Sequence, residues 1–378
     1  MHDHWIGDRA RNVELAAIRR VFELARSRKN IVNLSIGQPN FDVPEPIKAA
    51  AHAAIDQGHN GYSVAQGIQE LRDKIAADLR SRYSHPDREV LITSGASGGL
   101  VLALMVALNP GDEVIVFDPY FAGYPHFVTL AGGEPVWIDT YPDFDIDLNK
   151  GRDALTPRTK MIIVNSPGNP TGKVLDRETL RGLALLARER KIMLVSDELY
   201  RSFCYDQPFA SPAEFSDEVV VVDGFGKTYG MTGWRLGFCH GPRRFIDEMS
   251  KLQQCIYVCA PSMAQHAGIA AWDLDMSRFV RDYQRKRDWL CDALKDQYEF
   301  VKPGGAFYLF ARVPWGDGAS FVAEAIAHDL LLLPGQAFSR RDTHFRISYA
   351  VSDVTLERGA TILQRLAARS GPARAADQ

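Results

Sequence analysis

The sequence has few cysteines, no long apolar run and no surplus of one charge sign. Five cysteines in 378 residues are too few, and too odd a number, for a disulfide framework, so a reducing compartment is expected. The longest apolar run, 100–108, is about half of what a membrane span needs and ends at Asn109-Pro110-Gly111, so no transmembrane helix is expected. Met1-His2-Asp3-His4-Trp5 has no basic stretch followed by an apolar core, and no secretory leader is read there. Lys and Arg number 44 against 47 Asp and Glu, a net charge of −3. That lacks the basic excess of a sequence-independent nucleic-acid binder or an anionic-membrane binder. There is no internal repeat and no low-complexity block. Apolar residues at 46% and charged residues at 24% describe an ordinary globular chain. The length allows two domains, or one large α/β unit with an appendage.

Residues 10–29 read as an amphipathic helix in which Ile18, Val21, Phe22 and Ala25 share a face. Residues 31–36 form a short extended run, closed by Gly37-Gln38-Pro39. Two helical patterns between about 45 and 82 flank Gly58-His59-Asn60-Gly61-Tyr62. Seven short apolar runs follow, at 90–93, 114–117, 135–138, 161–164, 192–196, 219–222 and 236–239. Most are continuous rather than alternating, which predicts strands buried on both faces. Helical stretches separate most of them, most clearly at 100–108 and 178–191. This alternation predicts an α/β fold with a mostly parallel sheet covered by helices. After about Asp273, a long charged helix at 277–297 precedes short strands at 300–301, 306–310 and 345–349 and two more helices, an α+β texture. The tail from Ser370 is small and polar and is expected to fray.

Five stretches carry candidate chemistry. In Asp223-Gly224-Phe225-Gly226-Lys227-Thr228 the Gly-Lys-Thr triplet invites a phosphate-loop reading, but Val221 stands where that motif needs glycine. Gly224, Gly226 and Gly230 are also spaced one residue too wide for a dinucleotide loop. What remains is Lys227 at the end of a strand, among glycines that would let a cofactor approach. It is either a solvated loop lysine or an amine able to form a carbon–nitrogen double bond. Asn165-Ser166-Pro167-Gly168-Asn169-Pro170-Thr171-Gly172 is a rigid turn, and Asn169 is the residue that turn chemistry does not require. Asp197, after the run at 192–196, either caps a helix or stands where open α/β sheets bind ligands. Thr93-Ser94-Gly95-Ala96-Ser97-Gly98-Gly99 leads into a helix whose free N–H groups would suit a phosphate, as many strand–helix turns do. Arg346, on an otherwise apolar strand, needs an anionic partner, either an internal carboxylate or a substrate carboxylate. Cys255 and Cys259 with His266 fit no usual zinc spacing and read as buried apolar cysteines, so no metal is expected.

Taken in order, these stretches resemble the class I/II aminotransferases of pyridoxal-phosphate fold type I, over nearly the whole chain from Ile31 to about Leu366. Leu34-Ser35-Ile36-Gly37-Gln38-Pro39, Gly61-Tyr62-Ser63, Asn169-Pro170-Thr171-Gly172, Asp197-Glu198-Leu199-Tyr200, Lys227 with Met231-Thr232-Gly233-Trp234-Arg235, and Arg346-Ile347-Ser348 fall in the family's order. The resemblance implies a large α/β domain over 40–272, with a mostly parallel seven-stranded sheet between helices. It also implies a smaller α+β domain from 1–39 and 273–378. It implies pyridoxal 5′-phosphate bound covalently to Lys227, which would also move the proton at the substrate's Cα. Asp197 would pair with the ring nitrogen, and Asn169 and Tyr200 would donate to the ring's 3′ oxygen. Phe121 would stack on the ring. Ala96, Ser97 and Arg235 would hold the phosphate, joined by Tyr62 from the neighbouring subunit of a homodimer. Arg346, with the Gly37 backbone, would grip the α-carboxylate.

The implied activity is a cytoplasmic, ping-pong amino transfer from an aspartate-like, aromatic or alanine-like L-amino acid to a 2-oxo acid. The same groups would serve a β-lyase on cysteine S-conjugates. A non-catalytic ligand-sensing regulator would need an attached DNA-binding segment, and the first thirty residues show no helix-turn-helix pattern. One departure stands out: the family's Ser-x-Ser before the lysine is Gly224 and Gly226 here. The missing hydroxyl at Gly224 is expected to weaken cofactor retention by about 1 kcal/mol.

Overall fold

The computed structural model describes residues 3–13, 16–26, 30–83 and 88–368. The tail from Ser370 lies outside them. A short strand, β1 (Val32–Asn33), precedes the main sheet. That sheet has seven strands: β2 (Arg88–Ser94), β3 (Glu113–Asp118), β4 (Glu134–Asp139), β5 (Thr159–Asn165), β6 (Met193–Asp197), β7 (Val220–Gly224) and β8 (Leu236–Pro242). Their order is β2-β8-β7-β6-β5-β3-β4. Neighbours from β4 to β7 are parallel, while β8 is antiparallel to both β7 and β2. Each of the seven apolar runs became one strand of this sheet.

Burial on both faces explains why the runs are continuous. Ile115, Phe117, Ile162 and Val164 pack into one core, while Val114, Val116, Met161 and Ile163 pack into another on the opposite face. Each such side chain contributes roughly 1.5–3 kcal/mol over leaving it exposed. The sheet is thus a stiff floor whose carboxyl edge can carry loops. Helices Gly95–Ala107 and Arg177–Arg190 are two of its covers. The second begins at Asp176, which accepts from the Thr179 N–H at 2.7 Å, and stops at Lys191 in the left-handed region.

The remaining strands are β9 (Tyr308–Arg312), β10 (Leu330–Leu331), β11 (Leu333–Pro334) and β12 (His344–Ser348). β9, β12 and β11 form an antiparallel three-stranded sheet, and β10 pairs in parallel with β1. Helices Ser277–Leu294, Gly318–Ala327 and Asp353–Ala367 pack with them around a third core containing Leu290, Phe321, Phe345 and Leu363.

Three local expectations are corrected. The helix read over 10–29 is instead two short helices, Asp8–Arg11 and Ala16–Ala25, with Asn12 ending the first; residues 14, 15 and 27–29 lie outside the described set. Its apolar face is also narrower, because Val21 is buried but Phe22 is 46% exposed. The strand read at 300–301 is a single bridge between Phe300 and Ala311.

Candidate active site

The carboxyl ends of β5, β6 and β7 meet the start of helix Gly95–Ala107, the segment before Gln38, and strands β9 and β12 around one cavity. Its volume is about 210 Å³. Open α/β sheets place ligands at this edge. The cavity brings together Gly37, Ala96, Ser97, Phe121, Asn169 and Asp197 with Tyr200, Lys227, Arg235 and Arg346. Tyr62 is not among its lining residues and stands 85% exposed.

Asp197 ends β6 opposite Asn165 of β5. No helix starts there, so it is not a helix cap; its carboxylate accepts from the Leu199 N–H at 3.2 Å within a turn. It also accepts from the Tyr124 hydroxyl at 2.7 Å, and the Asn165 amide donates to the Asp197 carbonyl at 2.9 Å. Among the described residues no Lys or Arg forms an ion pair with it. Burial pushes its pKa up to about 6, against the lowering effect of the Tyr124 and Leu199 hydrogen bonds. A buried carboxylate held this way calls for a cation inside the cavity.

Lys227 sits in the short helix Phe225–Thr228, directly after β7. Its half-buried amine donates to the Gly37 carbonyl at 2.5 Å. Burial, then the charges of Arg346 and Arg235, bring its pKa down to about 8. Such an amine is partly unprotonated near neutral pH, as a nucleophile or base must be.

Arg346 on β12 is 4% exposed. It donates to the Asn169 side-chain oxygen at 2.9 Å and to the Ser35 carbonyl at 2.6 Å, and its Nε has no partner. The rings of Tyr308 and Phe338 each lie 4.5 Å from its guanidinium carbon. Among the described residues no carboxylate pairs with it, which removes the internal ion pair as an explanation. Burial lowers its pKa, but a guanidinium stays charged. A buried cation with neutral partners attracts an anion.

At the mouth, helix Gly95–Ala107 starts without a side-chain cap bond. Gly95 has φ +69, and a Cβ there would lie 2.5 Å from the Arg235 guanidinium, so only glycine fits both the backbone and the contact. Arg235 donates to the Thr232 carbonyl at 3.0 Å. Free N–H groups, the helix dipole and a guanidinium therefore converge in a seat for an anion such as a phosphate.

The two glycines before the lysine differ in their surroundings. A Cβ on Gly224 would sit 3.2 Å from the Gly237 Cα and the Leu236 carbonyl, so a serine there needs the β8 backbone to give by a few tenths of an ångström. A Cβ on Gly226 would meet nothing closer than 3.6 Å. The sequence reading missed Asn165 and Tyr308. A tyrosine within the apolar strand of Tyr308 was the one available signal. Cys255 is exposed and Cys259 partly buried, against the expectation of buried cysteines, because Cys255 falls on the outer side of the last turn of helix Arg243–Ile256. Among the described residues no cluster of His, Cys, Asp and Glu is placed to hold a metal ion.

A mostly parallel seven-stranded sheet carrying a lysine, an unpaired carboxylate and a helix-end anion seat on its carboxyl edge defines a transferase of the pyridoxal-phosphate fold type I. The chain belongs to the class I and II aminotransferases, whose family model matches residues 29–363. It is 38% identical to a probable aspartate aminotransferase of Methanocaldococcus jannaschii, over 96% of this chain and 99% of that one. It is 33% identical to aromatic-amino-acid aminotransferase 2 of Thermococcus litoralis, over 96% and 98%. A solved single mutant of Thermus thermophilus aspartate aminotransferase matches it with a TM-score of 0.90 at 34% identity, over 96% of this chain and 99% of that one. The chain is an aminotransferase.

Proposed function

We propose that this enzyme uses pyridoxal 5′-phosphate to move an amino group from an aspartate-like, aromatic or alanine-like L-amino acid to a 2-oxo acid, in two half-reactions. The observation that carries the proposal is that one cavity holds a lysine amine near pKa 8 and a buried carboxylate with no close ion pair among the described residues. The residues fit the cofactor. Asp197 meets the need of a protonated ring nitrogen, and Phe121 offers a flat apolar face. The N–H groups of Ala96 and Ser97, with Arg235, suit a phosphate.

When bound, the cofactor supplies a carbonyl carbon that takes up the amino group and a ring that holds the electrons left when the Cα proton departs. Lys227 would hold it and, as an unprotonated amine, would take the proton from the amino acid's Cα. Asp197 keeps the ring nitrogen protonated. Asn169 gives its side-chain oxygen to Arg346, which leaves its amide N–H groups to donate to the ring oxygen beside Tyr200. Arg346, with the Gly37 backbone, holds the α-carboxylate and so sets which bond at Cα faces Lys227.

Three wider readings accompany this. The working unit is a homodimer in which Tyr62 reaches the neighbour's phosphate; support comes from the exposure of Tyr62, Val64 and Ile256. The large domain comprises 40–272, and the smaller one 1–39 with 273–378; support comes from β1 pairing with β10 rather than with the main sheet. The site of action is the cytoplasm, in keeping with five unpaired cysteines. No helix among the described residues is long and apolar enough to cross a membrane.

The test is reconstitution with pyridoxal phosphate, followed by a panel of amino donors against 2-oxoglutarate and pyruvate read as kcat/KM. The parent should absorb in the near-visible and form a new amino acid from the oxo acid. Lys227→Ala should lose both. A colourless parent, a fully active Lys227→Ala, or release of ammonia and pyruvate without amino transfer would overturn the proposal.

A further inference from the structure

Tyr308 on β9 is 1% exposed and touches three parts of the cavity. Its hydroxyl lies 2.8 Å from that of Tyr200. Its ring lies 4.5 Å from the Arg346 guanidinium. Its hydroxyl also rests against the Gly37 backbone, where a Cβ would be only 2.7 Å away. The sheet register explains the convergence. Arg346 pairs with Phe310 and Ser348 with Tyr308, so Tyr308 is the diagonal neighbour of Arg346 on the same face. Both phenols stay protonated, because burial raises each of them above the ordinary tyrosine value. Two neutral hydroxyls carry two protons, and the bond between them uses one. An anionic ring oxygen is a stronger acceptor than a neutral phenol, so with the cofactor bound Tyr200 would turn its own proton toward it. Tyr308 then donates to Tyr200.

We infer that Tyr308 is a positioning residue with two separable tasks. Its hydroxyl fixes the direction of the Tyr200 proton, and its ring holds the Arg346 clamp in place. The inference rests on the pyridoxal-phosphate reading above and adds to it a residue that links the cofactor's ring oxygen to the substrate's carboxylate. Neither task requires Tyr308 to touch the reacting atoms.

The experiment compares Tyr308→Phe, Tyr308→Leu, Tyr200→Phe and the Tyr200→Phe/Tyr308→Phe double variant. Each is full-length and reconstituted with pyridoxal phosphate, with far-ultraviolet circular dichroism as the check on folding. The first readout is the pH titration of the near-visible absorbance. Tyr308→Phe should move its midpoint upward, in the direction of Tyr200→Phe but by less, because support for the anionic ring oxygen weakens. The double variant should move no further than Tyr200→Phe alone. The second readout is KM for the amino donor. Tyr308→Phe keeps the ring and should keep the parent's KM, while Tyr308→Leu should raise it about fivefold or more. A Tyr308→Phe protein that titrates like the parent, or shifts that add in the double variant, would overturn the first task. A folded Tyr308→Leu with parental KM would overturn the second. If Tyr308→Leu does not fold, a raised KM in Tyr308→Phe overturns the second task, and a parental one upholds it. A parent without near-visible absorbance removes the cofactor reading itself, and this inference with it.

Discussion

At the carboxyl ends of β6 and β7, Asp197 and Lys227 share the cavity without a close ion pair among the described residues, whereas across from them Arg346 lies between two aromatic rings. Desolvation acts on all three. The carboxylate and the amine answer it by titrating, one near 6 and the other near 8. The guanidinium cannot lose its proton, so its need for a counter-ion persists at every working pH. The large-sheet side of the cavity therefore handles protons, and the three-stranded side presents a fixed charge. Amino transfer needs both: groups that change protonation at Cα, and a clamp that does not.

The sharpest way to break this comparison is Asp197→Asn. It keeps the shape but removes the charge, and kcat should fall on the order of 10³-fold while KM stays close to the parent's. Steady-state kinetics with one donor decides it, and a parental kcat would remove the electrostatic role of the large-sheet side.

Next comes Lys227→Met in cofactor-free protein. The amine titrates near 10.5 in an unfolded chain and near 8 in the fold. Its depressed value contributes stability that is present above 10.5 and lost as pH falls through 8. At pH 7 the variant should therefore be more stable, on the order of 2 kcal/mol, since solvent still reaches the half-buried amine. The gain should vanish by about pH 10.5. Urea unfolding at several pH values reads it, and a gain that persists at high pH would point to packing instead. Asp197 has the opposite sign. Its raised value contributes stability present below 3.8 and lost as pH rises through about 6.

Arg346→Lys tests the fixed-charge side. It keeps a cation but loses the planar fork, so KM for the donor should rise roughly tenfold with kcat nearly unchanged. A fall in kcat without a change in KM would show that the clamp takes part in the proton chemistry, and the two sides would no longer be distinct.

The smallest effects belong to the two glycines. Gly224→Ser presses its Cβ on the β8 backbone and should cost about 1 kcal/mol of stability. Gly226→Ser has room and should change stability little, while strengthening cofactor retention by about 1 kcal/mol if its hydroxyl reaches the phosphate seat. Thermal melts with and without pyridoxal phosphate separate the two.

The main sheet was legible because strands buried on both faces leave unbroken apolar runs. The small sheets were legible only in part: the strands expected at 306–310 and 345–349 are β9 and β12, while β10 and β11 went unread. Leu330 to Leu333 reads as one apolar run, yet Leu330–Leu331 pairs with β1 and Leu333–Pro334 with β12. Nothing local divides it. The exposure of Cys255 and Phe22 was missed because residue type alone does not say which face of a helix an apolar side chain occupies; Cys255 stands on Arg243–Ile256 and Phe22 on Ala16–Ala25. Lys227, Asp197, Asn169 and Arg346 were found by residue type and order, while Tyr308 was hidden inside a strand that packing alone accounts for.

The order of chemical groups along the chain was written in the sequence: a glycine-flanked lysine, a carboxylate after a buried strand, an arginine within an apolar one. What those groups are able to do was decided only in three dimensions. Ser35 and Asn169 take the two hydrogen bonds of Arg346, Tyr124 reaches Asp197, and Arg346 and Arg235 lower the amine of Lys227. Proton affinity depends on which neighbours and how much water surround a group, and most of those neighbours come from segments distant in sequence: Tyr124 is 73 residues from Asp197, and Ser35 is 311 from Arg346.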